Sequence, residues 1–238
     1  MNKTTLTRKL PALLLTVAAG QVGLAGAASA QGGLLGTGLF APPAPAAPVA
    51  PAAATTASTP LAVEQKLEAL RYDVGPVDGN IDAMTNHAVM AFQKVNGMPR
   101  TGQLSDDVTA RILSTNGQPP VLVPNGEPTR VEVSLARQVL FLYENGSLLK
   151  ILSVSSGTSA TPTPTGTFRT FRSEPGWHTS ALGRLYNAQY FVGGYAIHGS
   201  NSVPAEPASH GCVRIPMNSA EWFPERVPHG TQVVISES

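Results

Sequence analysis

We predict an α+β, multidomain protein in which a small three-helix module precedes a mainly β domain of mixed-sheet, sandwich-like architecture. Apolar residues recur at helical spacing from residue 61 to about residue 117, and from about residue 128 apolar and polar residues alternate as they do in strands. Apolar residues make up 42% of the 238-residue chain, which is enough to form a hydrophobic core.

The N-terminus predicts an export signal over residues 1–30. Lys3, Arg8 and Lys9 form a basic segment before the apolar run LPALLLTVAAG, and the small residues of AASA suit a cleavage site. The run is too short to favour a membrane span. We therefore expect an exported protein with no stable membrane span after cleavage, with an uncleaved anchor as the alternative.

The rest of the chain divides by composition. Residues 31–60 carry no charge, and their Pro/Ala-rich run APPAPAAPVAPAAATTASTP predicts a semi-rigid linker. The helical module is expected over residues 61–117, a short linker over 118–127 and the β domain over 128–236.

Three helices are predicted in the helical module. The first lies in LAVEQKLEALRY, where apolar residues recur at helical spacing. The second lies in TNHAVMAFQKVNG, with Thr85 expected as its N-cap and Gly97 near its C-terminal end. The third lies in TGQLSDDVTARILSTNG, with Ser105 expected as its N-cap.

The strands of the β domain follow from alternation and turn residues. RVEVSL, QVLFLYE and SLLKILSVSSG predict three strands, and Asn145-Gly146 predicts a hairpin turn between the second and the third. TPTPTGTFRTFR and GTQVVISES predict two more. AQYFVGGYAIHG is predicted as one central strand that bends at its glycine pair, and Trp177 is expected on a loop.

The stretch AIHGSNSVPAEPASHGCVRIP, residues 196–216, contains the single cysteine of the chain, Cys212, and two of its five histidines, His198 and His210. In an exported chain one cysteine is a free thiol or an intermolecular link. An imidazole can take the proton of a neighbouring thiol and hold the resulting ion pair. We therefore expect His198, at the end of an apolar strand, to be the base for Cys212.

The neighbours of the cysteine are expected to shape the site. Gly211 leaves room for a substrate carbonyl, and the amides of His210, Gly211 and Cys212 are expected to face a developing oxyanion. Arg214 is expected on the same side as Cys212, where it would favour the thiolate or hold a substrate carboxylate.

Two stretches resemble known families. LEALRYDVGPVDGNIDAMTNHAVMAFQKVNGMPRTGQLSDDVTARIL resembles the peptidoglycan-binding domain of cell-wall enzymes. His198-Gly199 and SHGCVR at 209–214, with TPTPTG at 161–166, resemble the motifs of the L,D-transpeptidases over roughly residues 128–236.

The second resemblance implies a role for each matching residue. Cys212 is then the nucleophile and His198 the general base and later proton donor. Residues that shape the site or its oxyanion hole are Ser209, His210, Gly211 and Gly199. Arg214 is the expected substrate-binding residue, although many members carry asparagine there.

The implied function is cross-linking of peptidoglycan peptide stems in the periplasm or cell wall. Cys212 would attack the L,D-peptide bond before a terminal D-alanine, release D-alanine and pass the acyl group to an amine. The resemblance implies no cofactor and no metal, and it implies acylation by carbapenem-type inhibitors.

Several alternatives stay open. Water in place of the amine gives an L,D-carboxypeptidase, and an inert cysteine gives a catalytically idle wall-binding protein. A zinc site of His198, His210 and Cys212 is a further alternative. Charged residues are sparse, 13% with a formal net charge of +1, and no basic stripe predicts nucleic-acid binding. The sequence sets no oligomeric state.

Overall fold

The structure is a computed structural model of the chain, and it describes residues 59–119 and 122–238. The predicted export signal over residues 1–30 and nearly all of the predicted linker over 31–60 lie outside the described residues. No helix within the described ranges combines the length and the apolar character needed to cross a membrane.

The predicted three-helix module is confirmed. Its helices are α1 (Thr59–Ala69), α2 (Ala83–Val95) and α3 (Asp106–Ser114). Ser105 caps α3 as predicted, since its side chain accepts a hydrogen bond from the Val108 amide.

The N-cap of α2 differs from the prediction. Asp82 caps this helix, and its carboxylate accepts the Thr85 amide at 2.8 Å. Thr85 lies inside the first turn, where its hydroxyl donates to the fully buried Glu64 carboxylate at 2.9 Å. A carboxylate is an N-cap of at least equal strength to a hydroxyl, and the helix therefore begins one turn earlier.

The β domain forms two mixed sheets, which confirms the predicted fold class. One sheet has the strand order β3-β2-β1-β9-β4 and the other has the order β5-β6-β7-β8. Pairing is antiparallel except between β1 and β9 and between β7 and β8. Within the described residues the strands are β1 (Arg130–Ser134), β2 (Val139–Glu144), β3 (Ser147–Ser153), β4 (Gly166–Arg169), β5 (Arg172–Ser180), β6 (Gly183–Val192), β7 (Tyr195–Ser200), β8 (Val213–Pro216) and β9 (Gln232–Ser236).

Three elements differ from the sequence prediction. AQYFVGGYAIHG forms parts of two antiparallel strands, because Gly193, at φ +50°, turns the chain so that Val192 pairs with Tyr195. Trp177 lies on the strand β5 and not on a loop. The helix α4 (Met217–Arg226) was not predicted, because it contains Pro224, a residue that usually ends a helical pattern.

One core lies between the two sheets. It contains Val131 and Leu142 from the first sheet, Ile197 and Ile215 from the second, and Phe223 from α4. This burial of two inner faces against each other is the sandwich arrangement that the sequence predicts.

A second core joins the helices to the outer face of the first sheet. Phe92 of α2 belongs to the same buried cluster as Val139, Phe141 and Tyr143 of β2 and Ile151 of β3. The first sheet is therefore covered on both faces, by the helices on one side and by the second sheet on the other.

Lys94 of α2 makes the central polar contact between the helices and the sheet. The residue is 2% exposed. Its ammonium donates to the Gln138 carbonyl at 3.2 Å, to the Ser153 hydroxyl at 2.9 Å and to the Val154 carbonyl at 2.9 Å. Burial lowers the pKa of Lys94 to about 7, assisted by the charge of Arg100 and opposed by that of Glu206.

This pKa predicts a pH dependence of stability. Between about pH 7 and the ordinary lysine pKa of 10.5, the unfolded chain holds a proton that the folded chain has lost. The free energy of unfolding should therefore rise with pH in this window, by at most about 1.4 kcal/mol per pH unit. Urea unfolding of wild type and Lys94→Met from pH 6 to 10 measures the rise, which the variant should lack. Lys66→Met, on α1, is the matched control, and a constant difference between wild type and Lys94→Met would contradict the prediction.

Candidate active site

The parallel pair β7–β8 brings the candidate catalytic residues together. His198 on β7 is in register with Arg214 on β8, and Cys212 immediately precedes β8. His198, Cys212 and Arg214 therefore open onto one pocket of about 520 Å³. The predicted site residues that line this pocket are His198, Ser209, His210, Cys212 and Arg214.

His198 is held in one orientation by its neighbour. Its ring is buried, 5% exposed, and its Nδ1 lies 2.9 Å from the Gly199 carbonyl oxygen. A carbonyl oxygen can only accept, so Nδ1 carries the hydrogen and Nε2 is the acceptor. Burial lowers the pKa of His198 to about 4, opposed by the Gly199 hydrogen bond and assisted by the positive charge of Arg214. The imidazole is therefore neutral at neutral pH and able to take a proton.

Cys212 is half-buried and is the free thiol of the chain. Its Sγ lies 3.9 Å from the Gly194 carbonyl oxygen, which accepts its hydrogen. Burial raises the pKa of the thiol, against the opposing effects of a backbone hydrogen bond at Ala196 and of the Arg214 charge. With His198 neutral as well, the resting site holds a thiol and an imidazole, not the ion pair considered from the sequence.

Ser209 fixes the shape of the turn that carries the thiol. It is buried, its hydroxyl accepts the Gly211 amide at 3.0 Å, and the same hydroxyl donates to the Cys212 carbonyl. The Gly211 amide is therefore occupied and does not point at a substrate oxygen. The amides of His210 and Cys212 are the other donors of this turn, and the His210 side chain is exposed at the pocket.

Two predicted glycines lie behind the pocket lining, where a side chain would not fit. Gly211 has φ +112°, and a Cβ there would lie 2.8 Å from Cδ1 of Tyr195. At Gly199 a Cβ would lie 2.7 Å from the Cβ of Ala220 on α4. Both glycines therefore permit a close approach of neighbouring elements.

Arg214 supplies the positive charge of the pocket. Its backbone pairs with Ser155 in both directions, at 3.0 and 3.1 Å. Across the ranges 59–119 and 122–238 its guanidinium forms no ion pair with a carboxylate of the protein, so it is available to an anionic ligand.

Part of the pocket wall is formed by residues that the sequence did not indicate. The turn from Ser180 to Leu185 between β5 and β6 lines the pocket, together with Tyr195. Trp177 packs against Tyr186 at 5.2 Å between ring centroids and is not among the lining residues. Tyr195 directly follows the pair Gly193-Gly194, which was interpreted as a bend within one strand. Interpreted as a hairpin turn, the pair would have placed Tyr195 at the start of the strand that carries His198.

The described residues contain no group of three or more His, Cys, Asp or Glu side chains placed to hold a metal ion. The zinc alternative requires His198, His210 and Cys212 to converge on one point, and the structure does not gather them in this way.

The packing around Gly211 predicts a specific effect of Gly211→Ala. The added methyl group must displace Tyr195 or the turn, and the backbone strain should cost about 1–3 kcal/mol of stability. We expect slower alkylation of Cys212 by iodoacetamide, measured by intact mass, in protein that is still folded. Gly230→Ala is the matched control, because Gly230 also has positive φ, +89°, but has no heavy atom within 4 Å of an added Cβ. Alkylation of Gly211→Ala at the wild-type rate would contradict the prediction.

Two parts of the chain match models of known protein families. Residues 128–235 match the model of the YkuD family, the L,D-transpeptidase catalytic domain. Residues 57–112 match the model of a family provisionally described as a peptidoglycan binding domain.

Individual relatives point to the same family. The chain is 31% identical over 122 residues to a protein of Bacillus licheniformis provisionally named L,D-transpeptidase YkuD, covering 50% of this chain and 72% of that protein. It is 30% identical to a Bacillus subtilis protein provisionally named L,D-transpeptidase YciB, covering 44% of this chain and 64% of that one.

A solved structure extends the likeness beyond the catalytic domain. The L,D-transpeptidase structure from Xylanimonas cellulosilytica superimposes with a TM-score of 0.68 at 34% identity, covering 74% of this chain and 92% of that one. The chain belongs to the L,D-transpeptidase family with a YkuD catalytic domain.

Proposed function

We propose that this protein is an exported L,D-transpeptidase that cross-links peptidoglycan peptide stems through a thioester on Cys212. The observation that carries the proposal is that one pocket is lined both by the Cys212 thiol and by a neutral imidazole whose Nε2 is free to accept a proton. Membership of the L,D-transpeptidase family supplies the reaction class.

Acylation begins with proton transfer in the proposed mechanism. His198 Nε2 takes the Cys212 proton as Sγ attacks the carbonyl carbon of the L,D-peptide bond. The carbon–nitrogen bond breaks, the imidazolium returns the proton to the leaving nitrogen, and D-alanine departs. The amine of a second stem then attacks the thioester, loses a proton to His198 and releases the thiol.

In this proposal the other groups of the pocket stabilise the charges that form during the reaction and orient the peptide stem. The Gly199 carbonyl keeps Nδ1 protonated and stabilises the imidazolium once it forms. The amides of His210 and Cys212 are the proposed donors to the oxyanion, since Ser209 already holds the Gly211 amide. Arg214 holds a carboxylate of the stem, since no carboxylate within the described residues pairs with it.

The helical module and the N-terminal sequence support the proposed location. The match of residues 57–112 to a peptidoglycan-binding family fits a protein that works at the cell wall. The basic segment, apolar run and small residues of 1–30 fit export, and the uncharged Pro/Ala-rich segment after them fits a spacer.

Cys212→Ala tests the reaction class directly. Wild-type protein incubated with purified disaccharide-tetrapeptide should form dimers with loss of D-alanine, detected by mass spectrometry, and the variant should form none. Cysteine-dependent tripeptide without dimers would identify an L,D-carboxypeptidase instead. A folded wild-type protein that gives neither product, with an amine acceptor added, would favour the idle wall-binding alternative.

A carbapenem tests the same nucleophile independently of the acceptor. Its strained β-lactam carbonyl should acylate Cys212, so intact mass should rise by the mass of the drug in wild type and stay unchanged in Cys212→Ala. An equal rise in both proteins would exclude Cys212 as the trapped residue.

The pKa of His198 predicts the pH profile of acylation. Because the imidazole stays neutral down to about pH 4, the rate of carbapenem acylation should fall through about pH 4 and not through the ordinary histidine range near 6.5. His198→Gln should acylate on the order of a hundredfold or more slowly at pH 7, the loss typical of a removed general base. His229→Gln is the control, because His229 is exposed and does not line the pocket. An acid limb near pH 6.5 would contradict the prediction.

A further inference from the structure

Ser153 to Gly157, which we call the supporting segment, lies between the helical module and the turn that carries Cys212. The segment begins at the last residue of β3, and its first four residues are at most 1% exposed. Its hydrogen bonds run in two directions, to Lys94 on one side and to residues 206–214 on the other. It therefore connects α2 physically to the nucleophile.

In its protonated form, Lys94 donates all three ammonium hydrogens to this connection. Two go to the supporting segment, at the Ser153 hydroxyl and the Val154 carbonyl, and the third goes to the Gln138 carbonyl. The same Gln138 carbonyl accepts the Val154 amide at 3.0 Å. One lysine thus fixes Gln138 and the start of the supporting segment relative to each other.

Gln138 in turn restrains Ser156 through two hydrogen bonds. Its side-chain amide donates to the Ser156 hydroxyl at 2.7 Å, and its side-chain carbonyl accepts the Ser156 amide at 2.8 Å. Gln138 is 1% exposed and has φ +59°, so the turn that carries it is held in an uncommon backbone conformation. This pair of bonds leaves Ser156 little freedom to move.

The supporting segment in turn holds the cysteine turn. The Ser156 carbonyl accepts the amides of Ala208 and Ser209 at 3.0 and 2.9 Å, and Ser155 pairs with the Arg214 backbone. The Ser209 hydroxyl then bonds to the Gly211 amide and to the carbonyl of Cys212 itself, as described above. At Gly157 the packing is so close that a Cβ would lie 2.8 Å from the Gly211 Cα.

A second contact from the helical module reaches the same loop. Arg100 donates to both carboxylate oxygens of Glu206, at 3.2 and 3.1 Å, and to the Ala136 carbonyl at 2.9 Å. The Ser155 hydroxyl donates to the Glu206 carbonyl at 2.8 Å. The loop before Ser209 is therefore held by the helical module and by the supporting segment together.

We propose that Lys94 is a positioning residue for the chemistry at Cys212, so that the helical module is a structural part of the active site and not only a wall-binding appendage. This inference rests on the proposed function for its catalytic consequence. Lys94 acts through Gln138, Ser156 and Ser209 and touches no substrate. A displacement of about 1 Å at a nucleophile is enough to slow a reaction strongly.

The buried charge of Lys94 depends on the oxygens that surround it. Its bonded acceptors are neutral oxygens, so no carboxylate offsets its burial directly. The charged and titratable groups that affect it are His87 on its own helix, Arg100 after that helix and Glu206 on the loop of the β domain. Without the ammonium, the three oxygens that it joins lose their common donor.

Lys94→Met in the full chain tests the proposal, with Lys66→Met on the same module as the matched control. The first readout is the pH profile of Cys212 alkylation by iodoacetamide, which needs no transpeptidase activity. The second is kcat and KM for dimer formation from disaccharide-tetrapeptide. We expect Lys94→Met to alkylate and turn over more slowly, on the order of tenfold, with KM within about twofold of wild type. Lys66→Met should match wild type in both.

The outcomes separate this proposal from the proposed function. If wild type forms no dimers, the proposed function fails, while the alkylation profiles still test the positioning. Folded Lys94→Met with the alkylation profile and kcat of wild type would overturn the inference, and so would a change confined to KM. If Lys94→Met does not fold, Ser153→Ala decides, because it removes one acceptor of the Lys94 ammonium and leaves the lysine in place. We expect slower alkylation from this variant, and an unchanged profile would overturn the inference.

Discussion

The burial of β2 on both faces is the constraint on which the rest of the structure depends. Val139, Phe141 and Tyr143 face the helices, while Leu140 and Leu142 face the core between the two sheets. Each such side chain contributes roughly 1.5–3 kcal/mol when it leaves water, and a strand apolar on both faces needs a cover on each. The helices therefore pack on the outer apolar face of the first sheet, and this packing places Lys94 against the supporting segment.

The candidate site differs from this apolar core, because its titratable groups are buried and burial opposes their charged forms. Burial keeps His198 neutral and raises the pKa of the Cys212 thiol, and Arg214 lowers both pKa values from the same pocket. A thiolate–imidazolium pair is therefore costly in the resting pocket. Under the proposed function, activation of the thiol waits for the substrate.

Much of this could be predicted from the sequence, because the signals are local. Helical spacing, the Asn145-Gly146 turn and the strand alternation gave the right elements, and the spacing of His198 and Cys212 pointed to one pocket. The rest depends on contacts distant in sequence. Nothing around Lys94 indicates that its acceptors lie 44 to 60 residues away. The Gly193-Gly194 turn was interpreted as a bend because a glycine pair permits either a bend or a tight turn. Only the antiparallel pairing of β6 with β7 distinguishes the two.

The shared core of the helices and the first sheet has a consequence for how such a gene could be rearranged. If recombination exchanged the helical segment for an unrelated one, Phe141, Tyr143 and Ile151 would lose their cover and form an apolar surface. A replacement would need a matching apolar face, and a lysine at the position of Lys94 to meet the oxygens beneath it. The two segments are therefore expected to be inherited together, as one unit of descent.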